Sequence, residues 1–109
     1  MALPYTISFG YGHITAAADV LLMSVPATDT YELRDLVVGN VDSAAHDYAI
    51  YFSAGGQIVY LQLEPALAAT SSQHFELRQV LPPNSDLRFF GNGPEMTVAA
   101  TGYWLKGKP

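Results

Sequence analysis

With 109 residues the chain has room for one domain and one core, burying roughly two thirds of the surface its unfolded form exposes. Half of the residues are hydrophobic and 14% are charged, against a usual charged share of about 25%, so part of the apolar surface is expected to be covered by another chain. The net charge is −5 and the only bases are Arg34, Arg78, Arg88, Lys106 and Lys108, which argues against a nucleic-acid partner.

Turn signals recur every 8 to 12 residues, the spacing of sandwiches and barrels, and the runs between them are alternating, β-branched or aromatic. Eight strands are predicted: Tyr5–Phe9, Asp19–Val25, Tyr31–Gly39, Asp47–Ser53, Ile58–Leu63, Gln73–Arg78, Asp86–Phe90 and Met96–Leu105. Met1–Gly12 reads as an apolar amino-terminal arm that could add a strand to a neighbour. Gly10-Tyr11-Gly12-His13-Ile14-Thr15 starts like a phosphate-binding loop but lacks the third glycine and a following helix, so a flexible loop is expected. Within the fourth strand Tyr48, Ile50 and Phe52 point one way and Asp47, Ala49 and Tyr51 the other. Gly55-Gly56 supplies the positive φ angles of a tight hairpin.

Ile58-Val59-Tyr60-Leu61, Phe89-Phe90 and Tyr103-Trp104-Leu105 are apolar on both faces, which calls for burial between sheets or against a neighbouring subunit. Pro65–Ala69 reads as one helical turn, with proline at a tolerated first position. In Gln73–Arg78, Phe75 and Leu77 face the core while His74, Glu76 and Arg78 face water. Gly91-Asn92-Gly93-Pro94 is a turn, and residues 106–109 form a short flexible tail after a single sandwich domain over residues 1–105. Two segments echo each other: VPATDTYELRDLVVGN (25–40) and LPPNSDLRFFGN (81–92) both run from a proline through a polar turn into a strand with Leu-Arg, closing on Asn.

Nothing in the chain requires catalysis. His13, His46 and His74 lie one to a segment, without a second ligand at zinc spacing, so no metal is expected. A Ser/His/Asp set can be drawn on paper from Ser53 or Ser72, His74 and Asp47, but no nucleophile-elbow sequence surrounds either serine. No cofactor motif is present. There is no cysteine, hence no disulfide or thiolate chemistry. The amino end lacks a secretory pattern and no apolar run approaches the ~20 residues of a membrane helix, so a soluble chain without a membrane partner is expected. The seven tyrosines and Trp104 are read as core residues and interface anchors. A carbohydrate-binding module is the alternative, with some of Tyr11, Tyr51, Tyr60 and Tyr103 forming an exposed flat strip.

From Val25-Pro26-Ala27 through Tyr31–Asn40, the glycine hairpin after an aromatic strand, Leu63–Leu67, Phe75–Pro82, Ser85–Arg88 and Met96–Tyr103, the chain resembles small all-β virion proteins of tailed bacteriophages and gene transfer agents. Asn84 departs from that pattern, standing where glycine often precedes Asp86. The resemblance implies a jelly-roll-like antiparallel β-sandwich. It also implies a non-enzymatic role on the exterior of a head assembled in a bacterial cytoplasm, as cement or as the base of a head spike, with a small tail or baseplate component as another option. The implied partners are the major capsid protein, sister subunits in a ring (a trimer ahead of a pentamer) and a spike or fibre protein. Candidate anchors are Tyr5, Phe9, Phe90 and Trp104, and Arg34, Arg78 and Arg88 with Glu32, Glu76 and Asp86 are candidates for intersubunit or edge ion pairs.

Overall fold

The computed structural model describes residues 5–105, which form eight antiparallel strands and no helix. They are β1 (Tyr5–Ile14), β2 (Ala18–Ser24), β3 (Thr30–Asn40), β4 (His46–Ala54), β5 (Gln57–Leu67), β6 (Ser71–Leu81), β7 (Asp86–Gly91) and β8 (Met96–Leu105). One four-stranded sheet has the order β1-β8-β3-β6 and the other β2-β7-β4-β5. Every connection crosses from one sheet to the other except the β4–β5 hairpin, which is the winding of a jelly roll.

The core is what the alternation dictates. Tyr48, Ile50 and Phe52 of β4 are buried against Leu33, Leu36 and Val38 of β3, Leu87 and Phe89 of β7, and Met96, Val98 and Ala100 of β8. Phe75 and Leu77 of β6 pack on this cluster, while His74, Glu76 and Arg78 are exposed. Gly55 and Gly56 take φ of 58° and 79°, as a two-residue hairpin of the expected kind demands.

The two echoing segments lie side by side at one end of the sandwich. Asp29 N–H donates to Pro26 O at 3.1 Å and Ser85 N–H to Pro82 O at 3.2 Å, so each is a four-residue turn begun by proline. The turns are tied together where Val25 N–H donates to Ser85 O (2.8 Å) and Asn84 N–H to Val25 O (3.0 Å). Asn84 has φ 66°, a left-handed angle that asparagine adopts more readily than most residues, which accounts for its standing in for glycine.

The opposite end is held by asparagines and acids. Asn40, fully buried, donates through Nδ2 to Ala44 O at 2.9 Å and Leu67 O at 3.0 Å, and accepts from Asp42 N–H at 3.0 Å. Asn92 accepts from Asp47 N–H at 2.9 Å, and its own N–H donates to Asp47 O at 3.0 Å.

Four expectations are overturned. From Tyr5 onward the supposed arm is β1, paired with β8 along its length. The glycine segment within it is no loop: Gly10, at φ 122°, forms a bulge after Ser8 that turns Phe9 into the core, and pairing resumes from Gly10 to Ile14. Phe9 is 2% exposed and stacks on Tyr31 at 5.3 Å, so it is a core residue and not an interface anchor. Likewise Pro65–Ala69 is not a helical turn. Pro65 and Ala66 are a bulge on an edge strand, a place that tolerates a missing donor. There Ala66 takes φ 54° and its N–H donates to Asp47 Oδ1 at 2.7 Å. The first four residues of the arm and the tail at 106–109 lie outside the described residues.

Candidate interaction surfaces

With the inner faces of both sheets used for the core, function is left to the outer faces, the edges and the loops. On the β2-β7-β4-β5 sheet the register assembles rows across all four strands. One is Asp19–Phe90–Ala49–Leu63 and the next Leu21–Arg88–Tyr51–Tyr60. Leu21, Tyr60, Leu63 and Phe90 are all exposed large hydrophobics, and together with Tyr51 they form a continuous apolar and aromatic face. Asp19 sits within it, accepting from Arg88 at 3.3 Å and from the Tyr51 hydroxyl. Desolvation, with the Asp19 carboxylate adding to it, pushes the Tyr51 hydroxyl up to about 12, so it is a neutral donor at ordinary pH. Asp19, Tyr51, Tyr60, Leu63 and Phe90 line an open groove of about 540 Å³.

On the β1-β8-β3-β6 sheet the outer face carries the row Tyr11–Ala99–Val37–His74, with Tyr11 83% exposed. Here the structure brings together a group that sequence spacing missed: Asp35, His74 and Glu76 offer ligand atoms within 4.8 Å of one another. His74 Nε2 lies 3.0 Å from Asp35 Oδ1, and Glu76 is the direct cross-strand partner of Asp35. The alternation His74-x-Glu76 was legible in the sequence; Asp35 joins them only once β3 is paired with β6. The other two imidazoles also lie against carboxylates, His13 with Glu95 at 3.0 Å and His46 with Asp42 at 2.7 Å.

The remaining anchor candidates scatter. Arg88 and Phe90 share the apolar outer face, but Arg88 pairs with Asp19 and not with Asp86, whose carboxylate accepts from Ser24 at 2.6 Å. Arg34 pairs with Glu32 at 3.2 Å within β3, an interior strand, and also lies 5.1 Å over the Tyr103 ring. Arg78 is exposed on β6 and forms no ion pair with Glu76 among the described residues. Trp104 is half-buried on β8, opposite Tyr31 of β3 and the start of β1 at Tyr5. Leu21 and Leu63 were missed as surface candidates, since their isolated positions look like core until the register aligns them with Phe90 and Tyr51.

The set of Ser53 or Ser72 with His74 and Asp47 is not assembled. Asp47 and Ser53 belong to β4, in the opposite sheet from Ser72 and His74 on β6, and His74 is engaged by Asp35. The expected flat strip of tyrosines is not formed either. Tyr51 and Tyr60 are neighbours 5.5 Å apart but tilted by 48°, while Tyr11 and Tyr103 lie on the other sheet.

No family model matches the chain, and no curated protein matches it. Solved structures do. The structure of the infectious bursal disease virus Gx strain aligns with a TM-score of 0.52 at 15% identity, covering 96% of this chain and 32% of that one. The VP2 subviral particle of infectious bursal disease virus aligns with a TM-score of 0.50 at 16% identity, over 94% of this chain and 31% of that one. The nucleoplasmin-like amino-terminal domain of Drosophila FKBP39 aligns at 11% identity with a TM-score of 0.48, over 100% of this chain and 93% of that domain. The chain thus spans about a third of the viral proteins it resembles, and what it shares with them is the fold, an all-β sandwich.

Proposed function

We propose that this chain is a non-enzymatic structural component of a virus particle, mounted on the exterior of a tailed-phage or gene-transfer-agent head as cement or as the base of a head spike. The observation that carries the reading is the apolar face of Leu21, Tyr51, Tyr60, Leu63 and Phe90 on a jelly-roll chain with few charges. Such a surface is suited to protein contact, with aromatic anchors at its centre and an Arg88–Asp19 pair to set orientation. The partners are the major capsid protein, sister copies in a closed ring (a trimer in preference to a pentamer) and a spike or fibre above. Many modest contacts summed over a shell give the adhesion.

The test is antibody labelling and mass spectrometry of particles purified from the organism that encodes the chain. Label on intact heads is expected. Label confined to tails would make it a tail component, and absence from particles would overturn the reading.

The groove at Asp19, Tyr51 and Tyr60 favours one other reading, a glycan-binding site in which the rings stack on sugar and the carboxylate accepts its hydroxyls. Tyrosine fluorescence that responds to members of a glycan panel, and not after Tyr60→Ala, is the result that would establish it.

A further inference from the structure

The two sheets end in four edges, and they are not equally protected against pairing with another chain. The β1 edge is broken by the bulge at Phe9 and Gly10. The β2 edge is seven residues long, carries Asp19 and is interrupted at Leu22. The β6 edge presents His74, Glu76 and Arg78. β1 has no Asp, Glu, Lys, Arg or proline, but besides its bulge it carries His13 against Glu95 at 3.0 Å. β5 has neither an acidic or basic residue nor a proline over Gln57–Leu63. Its first four residues, Gln57 to Tyr60, are exposed on both faces of the strand, Ile58 at 56% and Tyr60 at 57%. The bulge at Leu61 limits the regular stretch to these residues.

We infer that the β5 edge is a two-fold seam, in which Gln57–Tyr60 pairs antiparallel with the same segment of a second copy and joins two β2-β7-β4-β5 sheets into one. The occupant follows from the inventory of edges. The other three are blunted, so within this assembly the partner for β5 is another β5. An antiparallel self-pair is also symmetric, placing Ile58 and Tyr60 on one face and Val59 on the other in both copies. A chain of net charge −5 repels its own copies over most of its surface, and this uncharged segment is where two can approach without a like-charge clash. Main-chain hydrogen bonds supply the affinity, as in other strand-addition contacts. The inference rests on the structural reading above for its purpose.

The test compares wild-type full-length protein with the double variant Ile58→Lys, Tyr60→Lys, using light scattering and amide hydrogen exchange over a range of concentrations. Both side chains are more than half exposed, so the variant should keep its circular dichroism and the unfolding stability of the dissociated wild type. The expected result is a wild-type mass that is an even number of protomers, halved in the variant. The alternate amides of Gln57–Tyr60 that point away from β4 should be protected in the wild type and exchange freely in the variant, while those bonded to β4 stay protected in both.

A discrete wild-type trimer or pentamer overturns the seam while supporting a ring. A wild-type monomer overturns it too, and if that monomer still labels particle heads the structural reading stands. A mass halved by Leu21→Lys as well as by the double variant, without wild-type protection of the outward-pointing β5 amides, assigns the contact to the sheet face that Tyr60 shares and also overturns the seam.

Discussion

β5 and β6 are both eleven-residue strands at the edge of a sheet, consecutive in the chain, and they treat water in opposite ways. In β6 every second residue from Gln73 to Gln79 leans into the core, and the outward positions are His74, Glu76 and Arg78. In β5 the first four residues are all exposed, none is charged, and three are Ile, Val and Tyr. An edge strand needs one buried face to belong to its sheet and one polar face to belong to nothing else. β6 meets both conditions, whereas β5 meets the first only from Leu61 onward and the second not before Glu64.

The strongest way to break the comparison is to make β6 resemble β5. Glu76→Val together with Arg78→Val leaves an adhesive edge on each sheet, so closed pairing gives way to open-ended growth. Light scattering at matched concentration should show mass increasing without limit; a discrete mass would mean that an apolar edge is not enough to associate.

Contrast within β5 is the next test. Leu67, 5% exposed at the far end, should cost about 2–5 kcal/mol when cut to alanine, while Ile58→Ala should change unfolding stability by less than about 0.5 kcal/mol, measured in denaturant on dissociated protein.

Asn40→Ala attacks the junction between the two strands. Its amide holds Leu67 O and Ala44 O, and leaving those carbonyls without a donor should cost about 2–3 kcal/mol in the same measurement.

The adjoining loop carries a pH effect. The hydrogen bond from His46, then that from Ser43 N–H, holds the Asp42 carboxyl below its ordinary value of 3.8. A depressed carboxyl pKa stabilises the fold above 3.8, and that contribution is lost as pH falls through the lower folded value. Denaturation midpoints taken on either side of 3.8 should therefore fall less steeply with acid in Asp42→Asn than in the wild type.

The smallest effect belongs to β6. Asp35 and Glu76 face each other across β3 and β6, and like charges so placed are mildly unfavourable. Glu76→Gln keeps the Asp35–His74 contact and should raise stability by about 0.2–0.5 kcal/mol, visible as a small rise in unfolding midpoint.

Local chemistry was enough to read all eight strands, the Gly55-Gly56 hairpin, the inward set Tyr48, Ile50 and Phe52, and the wet face of β6, because period-two alternation and turn residues act over a few positions. The same reading misjudged Gly10–Thr15 and Pro65–Ala69. A glycine bulge and a proline at an edge look like breaks in the sequence, and both are absorbed by pairing with a distant strand. Only the tertiary structure decided that the two echoing turns touch, that Phe9 is core, and that Leu21, Tyr51, Leu63 and Phe90 share one face. It alone also brought Asp35 to His74. These depend on which strands are neighbours and in what register. Those facts are settled by closing one core between two sheets, and no window of a dozen residues contains them.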